Sequence, residues 1–126
     1  MNDSEAIVNY QSAARYLQIL DKYGPPVVPL LYPPDKQDRS AQNRALQLHE
    51  RSRRQPLQVL DQAERTVRAL PRPEWRDAMR LIYFEGMSVW EAALDMAYSE
   101  RAVYRFLRQG FDYIEAAQEQ AREGRK

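Results

Sequence analysis

The chain has no cysteine and a single histidine, His49, in 126 residues. Without cysteine there is no disulfide framework and no thiolate zinc site. His49 stands in no ligand spacing, so neither a metal nor any other cofactor is expected. Glycine is scarce, with four residues, and none belongs to a Gly-rich phosphate loop. No nucleophile sits in a strand-turn-helix elbow or beside a histidine pair, and the carboxylates are scattered, so no enzyme is expected. Val, Ile and Thr are sparse, whereas Ala, Leu, Gln, Arg and Glu are plentiful, which favours helix over sheet. No apolar run approaches the length of a membrane span, and no basic segment leading into a hydrophobic one opens the chain. No membrane partner is therefore expected, and a cytoplasmic location is. A surplus of charge is also missing: the formal net charge is +1.

The charge that is present is unevenly spread. Between residues 39 and 54 five arginines (Arg39, Arg44, Arg51, Arg53 and Arg54) face one acid, Glu50. The acids Glu64, Asp77 and Asp95 read as helix-surface partners of arginines three or four residues away.

Taken in order, Asp3 or Ser4 is expected to cap a first helix reaching about Tyr23, with Ile7, Tyr10, Ala14, Leu17 and Leu20 along one face. Gly24-Pro25-Pro26 stops it. Prolines at 26, 29, 33 and 34 make VVPLLYPPDKQD an extended strap over the helices, the alternative being a docking strand for a partner. Residues 35 to 54 read as a solvated, arginine-rich stretch in which Arg51, Arg53 and Arg54 are candidate phosphate contacts. A second helix is expected to start at Pro56, with a break near Arg54 and Gln55, because proline inside a helix costs about 3 kcal/mol. Pro73 suits the first position of a third helix, whose apolar face includes Trp75, Met79, Ile82 and Tyr83 and which ends at Gly86.

The last third is the most structured part of the sequence. Ser88 and Glu91 form the capping-box pattern, and Val89, Ala92, Ala93 and Met96 give a small apolar face. Ser99 is a second N-cap, followed by a longer helix with Val103, Phe106, Phe111 and Ile114 as its buried stripe. Two helices joined by three or four residues form a helix-turn-helix pattern. The other face of the second helix carries Arg101, Tyr104, Arg105 and Arg108, donors long enough to reach guanine edges or phosphates. Ala97 falls in the turn, where a left-handed backbone would cost alanine about 1 kcal/mol. Trp90 and Leu94 lie off the small-residue face. Cover from the first helix of the same chain is expected ahead of a partner contact.

From Leu70-Pro71 to Ile114 the chain resembles region 4 of bacterial sigma factors and the sigma-like domains of phages. The residues that carry the likeness are Leu70, Pro71, Arg76, Leu81, Tyr83, Glu85, Gly86, Ser88, Glu91 and Ala93, then Ser99, Arg101, Val103 and Arg105. It is more similar still to small phage or prophage late-transcription regulators of the ArpU and RinA kind. The resemblance implies an all-α protein: an N-terminal helix, proline strap and arginine-rich segment over residues 1–55, then a sigma region 4-like helix-turn-helix domain over 56–126. It implies a DNA-binding transcription regulator in a bacterial host cell, with the helix from Ser99 to Phe111 in the major groove of double-stranded DNA. Ser99, Arg101, Tyr104, Arg105 and Arg108 would be the DNA-binding residues, with Arg101 and Arg105 on bases. Trp90 and Leu94 would be available to RNA polymerase or another subunit. A homodimer on two half-sites fits the same picture. Two alternatives stay open: a small terminase-like DNA-packaging protein, and an RNA polymerase-binding protein that does not contact DNA.

Overall fold

The computed structural model describes residues 1–24 and 39–124, with the side chains of 39–42 left aside. The proline strap lies outside the described residues. Six α-helices make up the described chain, in the order α1 (Asp3–Val8), α2 (Tyr10–Tyr23), α3 (Arg39–Arg68), α4 (Pro73–Met79), α5 (Val89–Met96) and α6 (Glu100–Glu123). No strand occurs among the described residues, in line with the composition.

The first helix is two. Asn2, rather than Asp3 or Ser4, caps α1, its Oδ1 accepting from the Glu5 backbone N–H at 2.8 Å. Asn9 then breaks the run. Its side-chain amide donates to the Glu5 carbonyl at 2.8 Å, which offers the backbone a local alternative to a continuous helix. The expected inward face is otherwise present, with Ile7 and Leu17 buried and Tyr10, Ala14 and Leu20 half-buried. Gly24, at φ 67°, ends α2.

The expected break before Pro56 is not there. Helix α3 runs unbroken for 30 residues, about 45 Å, with Pro56 inside it. Residues 39–54 are therefore helical, with most side chains of 43–54 exposed to solvent as expected, and the 55/56 boundary falls within one helix. The proline has no N–H to give the Ser52 carbonyl. Packing explains why the helix continues: the first part of α3 lies along α2, Pro56 is itself buried, and Arg53 Nε sits 3.1 Å from Asp21 Oδ1. That ion pair is close but not aligned as a hydrogen bond. Tertiary contact here outweighs a local penalty of about 3 kcal/mol.

Pro73 takes the first turn of α4 as expected. Beyond Met79 the helix widens into one π-helical turn, Arg80–Phe84, and closes around Gly86 at φ 78°, where the Met87 N–H reaches the Leu81 carbonyl at 2.9 Å. The positive φ at Gly86 is one that L side chains rarely adopt, so the turn needs glycine for its backbone, and the Gln11 side chain of α2 lies against it.

One core joins the halves. Ala6 and Ile7 from α1, Val59, Ala63 and Val67 from α3, Met79 from α4, Ala92 from α5 and Val103 and Ile114 from α6 belong to a single buried cluster. Polar links reinforce it. Gln62 Nε2 donates to Asp3 Oδ1 at 2.8 Å, and Arg76 Nη1 donates to the Leu70 carbonyl at 2.9 Å, closing the end of α3. The Tyr10 hydroxyl donates to Glu64 Oε1 at 3.1 Å, so Glu64 serves a tyrosine and not an arginine. The Tyr10 ring stacks on Phe84 with centroids 4.0 Å apart. Burial, then the hydrogen bond to Glu64 and its negative charge, push the Tyr10 hydroxyl pKa up; burial alone raises that of Tyr83.

Candidate nucleic-acid interface

The candidate surface is built on α5, its turn and α6. Ser88 Oγ accepts from the Glu91 N–H at 3.1 Å while Glu91 Oε1 accepts from the Ser88 N–H at 3.3 Å, so the capping box is complete. At the other end of α5, Ala97 is left-handed at φ 59°, ψ 40°. The Tyr98 N–H reaches back to the Ala93 carbonyl (3.0 Å) and the Ala97 N–H to that of Leu94 (3.3 Å). This pair of bonds is a Schellman closure with alanine where glycine is usual. The Tyr98 ring then meets Phe106 edge-on, centroids 5.0 Å apart, and pins the turn to α6. Ser99 Oγ accepts from the Ala102 N–H at 3.1 Å and starts that helix.

Helix α6 has two distinct faces over its first three turns. Ala102, Val103, Phe106, Leu107 and Gly110 are buried. Gly110 permits the close approach to α4, since a Cβ there would meet the Met79 methyl at 2.6 Å. The sequence reading anticipated Val103, Phe106 and Ile114, expected Phe111 to be buried where it is only half-buried, and missed Ala102, Leu107 and Gly110, whose small or interior placement is set by the partner helix. The opposite face carries Arg101, Tyr104, Arg105 and Arg108, all exposed, at the i, i+3, i+4, i+7 spacing of one stripe. No described carboxylate forms an ion pair with any of the three arginines. The Arg105 guanidinium lies 5.6 Å from the Phe106 ring centroid, which steadies its stem. Gln109 is engaged elsewhere, its Oε1 accepting from Trp75 Nε1 at 3.1 Å.

Comparison with family models, curated proteins and solved structures returns no match.

The remaining candidate residues are not gathered at this stripe. Arg51, Arg53 and Arg54 lie in the part of α3 that packs on α2, and Arg53 faces Asp21. Along α3 they stand about 20 Å from Thr66, which with Tyr113 and Ile114 lines a cleft between α3 and α6. Trp90 and Leu94 are not covered by α1 or α2; they remain 61% and 65% exposed, one turn apart on α5. Beside them a groove of about 570 Å³ between α4 and α5 is lined by Glu74, Asp77, Glu85 and Asp95, with Arg80 as the one base among the described lining residues. Asp77 and Asp95 form no ion pair there, contrary to their expected pairing with arginines. The run of acids over residues 73–100 is the signal in the sequence for this groove. Among the described residues no group of His, Asp or Glu is arranged to hold a metal, and no helix is long and apolar enough to cross a membrane.

Proposed function

We propose that the protein is a DNA-binding regulator of the sigma region 4-like, phage or prophage kind, reading duplex DNA with the first turns of α6 in the major groove. The observation that carries this reading is the stripe Arg101, Tyr104, Arg105 and Arg108: exposed, without a carboxylate partner among the described residues, and borne by a helix whose other face is core. Unpaired guanidinium groups meet phosphate or guanine O6/N7 without first giving up an internal ion pair. Arg101 and Arg105, one turn apart, act on base edges; Tyr104 and Arg108 flank them on sugar and phosphate. Ser99 keeps its hydroxyl proton while its oxygen caps the helix, and that proton suits a phosphate oxygen. Few such contacts and a net charge of +1 give modest affinity, which falls with salt in proportion to the few phosphates neutralised.

The test is selection of duplexes from a random pool by the wild type and by the Arg101→Ala/Arg105→Ala double variant, at low and moderate salt. A motif enriched by the wild type and lost by the variant is the expected result. No enrichment at either salt would sink the reading.

A second reading rests on Trp90 and Leu94. A tryptophan and a leucine more than 60% exposed beside an acidic groove suit a protein that docks on RNA polymerase or another protein without touching DNA. Loss of partner binding in Trp90→Ala, with no duplex bound by the wild type, would favour it.

A further inference from the structure

Two internal segments of the chain carry opposite charge, each beside apolar surface that nothing described covers. Residues 39–54 hold five arginines against Glu50, a formal +4. Residues 73–100 hold six acids against Arg76 and Arg80, a formal −4. On the acidic side Trp90 and Leu94 stand out from α5 as an apolar knob, with Asp95 next to Leu94 and the acidic groove beyond. On the basic side Met1 and Asn9, which flank α1, together with α2 and α3 line an open groove of about 520 Å³. Pro56, Val59 and Ala13 line its apolar part, Met1 and Tyr16 are exposed beside it at 61% and 47%, and Arg51 supplies its cation.

We infer that this protein associates head to tail with a second copy of itself, the Trp90–Leu94 knob of one molecule seating in the α2–α3 groove of the next. Apolar knob meets apolar groove, and Asp95 with its acidic neighbours meets Arg51 and the arginine-rich turns of α3. Like-charged surfaces oppose the other pairings: knob on knob brings two acidic ends together, and groove on groove two basic ends. That repulsion selects the heterologous contact. Because knob and groove are different surfaces, a pair formed this way leaves one of each free, so association continues to a ring or a chain. The stripe on α6 takes no part, and this inference does not depend on DNA binding.

Sedimentation velocity on the full chain tests it, over a hundredfold range of concentration and at 50 and 500 mM salt. The wild type is expected to grow past the dimer with concentration and to shrink at high salt. Two variants at exposed positions each remove one surface: Trp90→Ser/Leu94→Ser the knob, Tyr16→Glu/Arg51→Glu the groove. Alone, each is expected to be monomeric with unchanged helical circular dichroism, at least tenfold weaker in association. Mixed one to one, they are expected to form a dimer and stop there, since only one intact knob and one intact groove remain per pair. A charge swap guards against a folding artefact: Arg51→Glu and Asp95→Arg should each weaken association, and both in one chain should restore it. A wild type monomeric at every concentration, or variants that fail to complement on mixing, would overturn the inference.

Discussion

Helices α5 and α6 begin and end on signals held within a few residues, whereas α3 continues straight through a residue that should stop it. In the first region Ser88, Glu91 and Ser99 satisfy the orphan backbone donors, and the turn closes on itself. In the second, Pro56 removes a backbone bond, and the helix persists because α2 lies along it and Arg53 faces Asp21. The difference teaches that caps and turns are local chemistry and can be read locally. A helix held by its neighbour is decided by contacts far away in sequence.

Breaking the link between the regions should have the largest effect. Ile7 is fully buried in α1, a helix that touches both α3 and α6. Ile7→Ala should cost about 2–5 kcal/mol. Chemical denaturation should still show one transition, by fluorescence and circular dichroism alike, because the two regions share a core. Two separate transitions would mean that they fold apart.

Pro56→Ala sharpens the account of α3. Restoring the N–H to the Ser52 carbonyl gains up to about 3 kcal/mol, and loss of the buried ring takes part of that back. The expected net is a stabilisation of about 1–2 kcal/mol, read as a higher urea midpoint. A destabilised variant would mean that α3 needs the proline at that point.

The smallest effect belongs to the turn. Ala97 is left-handed without being glycine, so Ala97→Gly should stabilise by about 1 kcal/mol and leave binding intact. A weaker protein would contradict the turn geometry.

Much of this was readable in advance, and the misses have physical causes. The all-helical class, Pro73 at the start of α4, the capping box, the Ser99 cap and the inward placement of Val103, Phe106 and Ile114 all follow from residue type and spacing. Asn9 was missed because a single asparagine interrupts an otherwise regular apolar face. The fate of Pro56 was missed because propensity outranks packing when only the sequence is in hand. Leu107 and Gly110 needed knowledge of α4. Trp90 and Leu94 looked as though the chain would cover them, but α1 and α2 spend their apolar faces on α3 and on the core instead. The α6 stripe was legible as a row of long donors, and its freedom from carboxylates only becomes visible in three dimensions.

The central claim is that DNA meets the stripe on α6 and not the arginines of α3. Amide chemical-shift mapping of the ¹⁵N-labelled protein, titrated with a selected duplex at low salt, tests it most directly. Shifts concentrated on residues 99–109, with residues 44–54 unmoved, are the predicted result. Shifts centred on Arg51 and Arg54, or none while the duplex is bound elsewhere, would contradict it.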